Sequence, residues 1–166
     1  AGSEKHGVEA ADANLFTDHK IILTPTSDTR PEVVERVAQL WTSLGAMVLM
    51  MDVQDHDRIL AQTSHLPHLL AYALVDLLAV ENEDLAVFQY AAGGFRDFSR
   101  IAASDVSMWR DIFISNKKEL LAAVRTYRAR LEGLEKLIED DQFDQLEQVL
   151  SRAKAARDYF TSINDN

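Results

Sequence analysis

The apolar residues change their spacing at Asp52, and this change constrains the fold more than any other feature of the chain. Before Asp52, the two short runs Lys20–Thr24 and Ala46–Met51 have the length and composition of buried strands. After it, apolar residues recur at helical spacing to the end of the chain. The sequence therefore predicts a mainly α chain that begins with a small α/β part.

A helix should connect the two strands. Pro31 suits its first position, with Asp28 or Thr29 as the expected cap, and Gly45 suits the position just after its end. The resulting strand–helix–strand unit is too small to close a sheet alone.

The first helix beyond Asp52 should be the central one. Asp52 or Asp55 can cap it, and the apolar pattern continues past Pro67, which predicts a kink rather than an end. Its apolar face is wide, so we expect it to be buried on most sides. A shorter helix is expected over about 84–91, before Gly93 opens a polar loop.

Two helices should complete the chain, the first a long one from Asn116 to about Asp140. Its apolar residues have heptad spacing: Leu120, Val124, Tyr127, Leu131, Leu134 and Ile138. The last helix repeats the pattern with Phe143, Leu146, Leu150, Ala153 and Phe160. Such seams indicate either helix packing within one subunit or a helical dimer interface.

Composition limits the partners. The chain has 166 residues, with 17 Lys and Arg against 27 Asp and Glu, and its net charge of -10 argues against nucleic acid or an anionic membrane. It has no cysteine, which excludes disulfides and thiolate metal sites and fits a reducing cytoplasm. The longest apolar run, Leu69–Val80, contains Asp76 and is too short to span a bilayer. No signal peptide is visible.

The segment Ser64–His68 is the first candidate site. On a helix, His68 lies near both Ser64 and His65, and Pro67 leaves a carbonyl near Ser64 without its usual N–H donor. This pattern fits a ligand site. It also fits a pair in which one histidine is a satisfied core residue and the other is exposed.

The segment Gly93–Asp105 is the second candidate. Its two glycines allow positive φ and close approach of a ligand to the backbone. If the segment coils, Arg96 and Arg100 share a face with Asp97 beside them, and an arginine so placed can bind an incoming carboxylate. One such contact contributes about 1.5–3 kcal/mol, whereas a solvated salt-bridged loop contributes almost nothing.

Other chemistry has weaker support. His56 with Asp55 and Asp57 offers possible metal ligands, but the chain has no His-Glu-x-x-His pattern, and we expect no metal. Glycine-rich nucleotide motifs and the G-x-S-x-G motif are also absent from the sequence. The residues alone therefore predict a helical domain with an arginine-lined anion site.

Three segments together resemble ordered motifs of the prephenate dehydrogenase family: Ala1–Val8, Ser64–His68 and Gly93–Ile112. The third contains the long, specific pattern Gly-Gly-Phe-Arg-Asp-x-x-Arg-Ile-Ala-x-Ser-Asp. The resemblance covers essentially the whole chain. It implies NAD- or NADP-dependent oxidative decarboxylation of prephenate or arogenate in tyrosine biosynthesis.

The resemblance also implies a domain organisation. Residues 1–51 would be the C-terminal remnant of a truncated Rossmann-type nucleotide-binding domain, and residues 52–166 an all-helical substrate-binding and dimerisation domain. The dinucleotide loop and the catalytic histidine would lie upstream of Ala1. We therefore expect no catalytic residue in this chain, no NAD or NADP bound to it, and no activity from it alone.

Candidate site residues follow from the same resemblance. Arg100 matches the arginine that binds a substrate carboxylate, His68 and Ser64 match pocket-lining positions, and Gly93 and Trp109 match pocket walls. Charged positions near the pocket mouth, where an ionic network would gate entry, are Glu4, Arg96 and Asp97. Arg96 is counted with the substrate-binding residues, and Glu4 and Asp97 with the gate.

The expected partners are a second copy of the chain, bound through helices of residues 52–166, the substrate prephenate or arogenate, and tyrosine as a feedback ligand. The expected location is the cytoplasm, with no nucleic acid and no membrane. A second hypothesis, from a different class, is a non-catalytic helical domain that binds a small carboxylate or a partner helix. A glycine-rich β-α-β unit encoded upstream would favour the enzyme.

Overall fold

Two short parallel strands form the only sheet among residues 11–82 and 85–164, which are the residues that the structure, a computed structural model, describes. Strand β1 (Lys20–Leu23) pairs with β2 (Met47–Met50), with Lys20 opposite Met47, and helix α1 (Pro31–Ser43) connects them. The predicted strand–helix–strand unit is confirmed.

The two ends of α1 differ in how well the sequence predicted them. Arg30 precedes the helix in extended conformation, as a residue before proline should, and no side chain caps it. The expected cap by Asp28 or Thr29 is therefore wrong, because the Thr29 hydroxyl is bonded within its own loop. Gly45 follows the helix at φ +80, where a Cβ would meet Thr17 at 3.2 Å, and is confirmed as the stop signal.

A single long helix follows in three stretches: α2 (Val53–Leu60), a wider π-helical turn (Ala61–His65) and α3 (Leu66–Glu81). The carboxylate of Asp52 caps α2 by accepting the N–H of Gln54 at 2.9 Å. The helix continues past Pro67, as predicted. The irregular turn lies directly before this proline, where a backbone N–H is missing from the ladder.

This long helix is not buried on most sides within the chain, contrary to expectation. Its buried residues are Ala61, His65 and Ala71, whereas Leu77 and Val80 are 50% and 73% exposed. By length and apolar composition its 29 residues could cross a bilayer, a test that core helices of globular proteins also pass. The wide apolar face was predicted correctly, but the described residues do not cover it.

Short helical segments follow: a 3₁₀ turn (Ala86–Tyr90), α4 (Gly93–Ser99), a second 3₁₀ turn (Arg100–Ala103) and α5 (Val106–Ser115). The shorter helix expected over about 84–91 is thus a 3₁₀ turn. The polar loop expected after Gly93 is wrong, because this residue begins a helix and does not have positive φ.

The last two helices are α6 (Lys117–Glu139) and α7 (Phe143–Asn164), and both were predicted. Between them Asp141 has φ 54, and its N–H donates to the carbonyl of Ile138. The chain divides into two compact units, residues 1–120 and 121–166. Large apolar side chains of the predicted seams are exposed in the second unit: Tyr127, Leu131, Ile138, Phe143, Leu150 and Phe160.

Candidate functional site

His68 of α3 and Trp109 of α5 stack face to face at the centre of the candidate site. Their ring centroids are 3.6 Å apart and their planes are inclined by 20°. Trp109 is buried, and the ring of Phe113, one turn later, lies 5.6 Å from it. Asp105 fixes the start of α5 by accepting the N–H of Met108 at 2.7 Å. The fold thus brings together two predicted site residues that are far apart in sequence.

His68 is held by the backbone of Ser64. Its Nδ1 lies 3.0 Å from the Ser64 carbonyl oxygen, which can only accept. Nδ1 therefore carries a proton, and Nε2 is the nitrogen left for a ligand. Ser64 thus contributes through its main chain.

His65 is a buried histidine with a polar partner on another helix. Its Nδ1 lies 3.2 Å from the side-chain nitrogen of Asn116, which also donates to the carbonyl of Asp57 at 2.7 Å. Burial lowers the pKa of His65; the nearby His56 and His68 lower it further, and Asp57 opposes them. His65 is thus the satisfied core histidine that the sequence allowed, while His68 is half-buried rather than exposed.

Tyr72 connects this histidine segment to the arginine segment. Its hydroxyl donates to the Ser104 carbonyl at 2.8 Å, directly after the 3₁₀ turn that carries Arg100. Burial raises the pKa of Tyr72, and the nearby Asp105 raises it further. Helix α3 also packs against α4 and this 3₁₀ turn. Arg100, itself exposed, therefore lies on a segment anchored to the helix that carries His68.

The residues of α4 lie at the surface. Gly93, Arg96 and Asp97 are exposed, and among the described residues no atom beyond the neighbouring residues and the helix backbone lies within 4 Å of a Cβ built at Gly93. Space for the predicted close approach of a ligand is therefore open at this glycine. Helical spacing puts Arg96 and Arg100 on the same side, as expected if the segment coils. The gate residue Glu4 lies outside the described residues.

An open apolar cavity of about 490 Å³ lies beside the stack. It is lined by Tyr72, Val106, Trp109, Arg110, Phe113, Ile114 and Lys117. The indole Nε1 of Trp109 is buried and has no hydrogen-bond partner among the residues that the structure describes. The cavity can take an apolar ring, and its lining includes Lys117 and Arg110, the latter paired with Asp111 at 2.8 Å.

The metal interpretation of the sequence finds no support in the described part of the chain. No cluster of three or more metal-binding side chains occurs among residues 11–82 and 85–164. Asp55 is paired with Arg58 at 2.7 Å, and His56 contacts Asp57 at 3.0 Å.

Sequence reasoning missed Tyr72, Phe113 and Asn116. Helical spacing could have suggested the first two, because Tyr72 lies four residues after His68 and Phe113 four after Trp109. Asn116 had no such signal. Its side-chain partners are 59 and 51 residues away, and only the fold brings them together.

The described residues form a mainly helical chain that begins with a small α/β unit, with a ring stack and an open apolar cavity between its helices. The family model described as "Prephenate dehydrogenase, dimerization domain" matches residues 52–152, and "Prephenate dehydrogenase, nucleotide-binding domain" matches residues 1–50. The chain belongs to the prephenate dehydrogenase family.

Curated relatives agree with this assignment. Cyclohexadienyl dehydrogenase of Zymomonas mobilis is 35% identical over 159 residues, covering 95% of this chain and 54% of the relative. Prephenate dehydrogenase of Bacillus subtilis is 36% identical, covering 95% of this chain and 43% of the relative. The chain therefore spans about half the length of the curated relatives it matches.

Solved structures share the fold. Prephenate dehydrogenase from Aquifex aeolicus, in complex with hydroxyphenyl propionate and NAD+, superposes with a TM-score of 0.90 at 39% identity, covering 96% of this chain and 56% of that one. Synechocystis arogenate dehydrogenase superposes with a TM-score of 0.83 at 30% identity, covering 96% and 58%.

Proposed function

We propose that this chain is the substrate-binding and dimer-forming part of an NAD- or NADP-dependent dehydrogenase that oxidatively decarboxylates prephenate or arogenate in tyrosine biosynthesis. The observation that carries the proposal is the His68–Trp109 stack, held beside the Arg100 segment by the bond from Tyr72 to Ser104. A ring platform, with an arginine on a segment anchored to the same helix, suits a substrate that combines a six-membered ring with carboxylates.

Each site residue has a proposed role. Arg100 binds a substrate carboxylate through its guanidinium fork. His68 presents Nε2 to the substrate, because its Nδ1 is held by the carbonyl of Ser64. Trp109 and Gly93 form walls of the pocket. The charged residues proposed for the mouth of the pocket are Arg96, which also binds substrate, and Glu4 and Asp97, which gate entry.

The proposed dimer uses helices of residues 52–166. The exposed apolar side chains of α6 and α7, together with those at the end of α3, support this proposal, because large exposed apolar patches mark interaction surfaces. In this proposal, residues 1–51 are the remnant of a nucleotide-binding domain. Residues 52–166 are the substrate-binding and dimerisation domain. We further propose that the intact enzyme is cytoplasmic and that tyrosine is its feedback ligand.

The cofactor is proposed for the intact protein and not for the described residues. Loop 24–30, which follows β1 and precedes α1, contains no glycine, so the phosphate-cradling loop of a dinucleotide site does not fit here. NAD or NADP bound to the rest of the enzyme supplies the hydride acceptor. We accordingly propose that this chain alone has no dehydrogenase activity.

Replacing Arg100 by alanine in the intact enzyme tests the proposed carboxylate contact. The change removes a charge-assisted bond of about 1.5–3 kcal/mol. The KM for prephenate or arogenate should therefore rise about ten- to a hundredfold with a smaller loss in kcat, since the contact is common to the ground and transition states. Steady-state kinetics with each substrate measure this and show which one is preferred.

Arg30→Ala is the matched control, because Arg30 is an exposed arginine on the loop before α1 and its substitution should leave KM unchanged. An unchanged KM in Arg100→Ala would contradict the role of Arg100. Absence of dehydrogenase activity with either substrate in the wild-type intact protein would instead favour the non-catalytic helical domain.

A further inference from the structure

Two histidines on adjacent turns of the long helix meet different kinds of hydrogen-bond partner. His68 Nδ1 faces the Ser64 carbonyl oxygen, an obligate acceptor. His65 Nδ1 faces the side-chain nitrogen of Asn116. The orientation of this amide is fixed, because the same nitrogen lies 2.7 Å from the carbonyl oxygen of Asp57, which requires a donor. One amide hydrogen is used for Asp57, and the other points to His65.

We infer that Asn116 is a positioning residue for His65, which it holds in the tautomer opposite to the one that the Ser64 carbonyl sets in His68, beside the ring platform of Trp109. In this arrangement His65 accepts at Nδ1 and carries its proton at Nε2. His68 carries its proton at Nδ1 and has a free lone pair at Nε2. The inference deepens the proposed function, on which it rests wherever substrate is concerned.

Asn116 is itself rigidly placed, since it lies at the junction of α5 and α6. Its backbone N–H donates to the carbonyl of Ile112, and its carbonyl accepts from the N–H of Leu120. Both its side chain and that of His65 are 8% exposed, so water does not compete for their bond. The side chain of Asn116 therefore ties this helix junction to the turn that carries both histidines.

The opposite tautomers give the two rings different capacities. His68 can accept a hydrogen bond at Nε2 and keep its own bond to Ser64. A proton on Nδ1 of His65 would instead meet the N–H of Asn116, donor against donor. The ionisable groups around His65 are His56 and Asp57 on α2 and His68 on α3. His68 is therefore the member of the pair that offers a hydrogen-bond acceptor, Nε2, to a ligand, and His65 maintains the geometry.

Histidine side-chain ¹⁵N NMR of the 166-residue chain tests the tautomers directly. At pH 8, long-range ¹H–¹⁵N correlations should show a non-protonated Nδ1 in His65 and a non-protonated Nε2 in His68. Signals are assigned from His65→Asn and His68→Asn, which each remove one ring. The same tautomer in both rings, or a protonated Nδ1 in His65, would overturn the inference.

Asn116→Asp tests whether Asn116 sets the tautomer of His65. A carboxylate can only accept, so Nδ1 of His65 should become protonated while the Nδ1–H of His68 persists. Asn82→Asp is the matched control, because the Asn82 amide also donates to a backbone carbonyl, that of Leu78 at 2.8 Å, and no histidine signal should change. If Asn116→Asp does not fold, the wild-type spectrum still decides the tautomers.

The positioning role is measured in the intact enzyme. Asn116→Asp should raise the KM about three- to tenfold, the effect of losing one hydrogen bond. Asn82→Asp, the matched control outside the site, should leave the KM unchanged. If KM is unchanged in Asn116→Asp although the tautomer has switched, the positioning role is wrong. If wild-type enzyme oxidises neither substrate, the proposed function fails and the NMR result still stands.

Discussion

The segments Ser64–Tyr72 and Gly93–Arg100 both carry predicted site residues, yet the chain fixes them to very different degrees. In the first, His65, His68 and Tyr72 each have a hydrogen-bond partner, and His68 is stacked on Trp109. In the second, the glycines and the charged side chains are exposed. The ring-binding half of the proposed site is therefore built by the chain itself, while the charged half is presented at its surface.

The difference follows from the chemistry of the side chains. Rings obtain a fixed orientation from burial and stacking, which one chain can provide. Guanidinium and carboxylate groups stay hydrated until a ligand or a partner replaces their water. The bond from Tyr72 to Ser104 is the point at which the first segment fixes the position of the second.

Trp109→Ala should have the largest effect on stability, and it tests the ring-binding half of the proposed site. Removing a buried tryptophan leaves a cavity and should lower the free energy of unfolding by about 3–5 kcal/mol. Phe98→Ala, in the exposed segment, should cost about 1 kcal/mol or less, because Phe98 is 43% exposed. Urea denaturation of the chain measures both. Equal losses would break the contrast between the two segments.

Tyr72→Phe should have an intermediate effect and tests the connection. It removes one hydrogen bond to Ser104, so the free energy of unfolding should fall by about 0.5–1.5 kcal/mol. Tyr159→Phe is the control, because Tyr159 is 67% exposed and its hydroxyl can bond to water. If the two variants unfold at the same urea concentration, Tyr72 does not anchor the arginine segment.

The pH dependence of stability should show the smallest effect, through His65. Its pKa is lowered in the folded chain, so the unfolded chain binds the proton more readily. The contribution of neutral His65 is complete above its ordinary pKa of about 6.5 and is lost as pH falls through the lowered value. Urea midpoints should therefore decrease on acidification from pH 7.5. His65→Asn should weaken this pH dependence. If the urea midpoint of the variant falls with pH as steeply as that of the wild type, His65 is not its source.

Much of the fold could be predicted because its signals are local. Pro31 and Gly45 bound α1, Asp52 caps α2, and the heptad spacing gives α6. The errors arose where two local signals competed. Gly93 and Gly94 predicted a loop. In the structure they begin a helix without positive φ, and this helix brings Arg96 and Arg100 to one side.

The candidate site could be predicted in part. The resemblance singled out His68, Trp109 and Arg100, but not how they are held. Asn116 escaped because its role depends on Asp57 and His65, which no sequence spacing relates to it. The wide apolar face of α3 was expected to be buried, but part of it is exposed. Apolar periodicity shows which face of a helix is apolar, and it does not show which residues pack against that face.

The sequence by itself determined the helical class of this protein, its membership in the prephenate dehydrogenase family, and the candidate residues. Periodicity, helix caps and motifs depend on residues close together in the sequence, so they can be recognised from the sequence alone. Only the tertiary structure decided that His68 lies against Trp109, that His65 is bonded to Asn116, and that Tyr72 anchors the arginine segment. The reason is that each contact joins residues on separate helices, and hydrogen-bond direction and ring stacking exist only once those helices are packed.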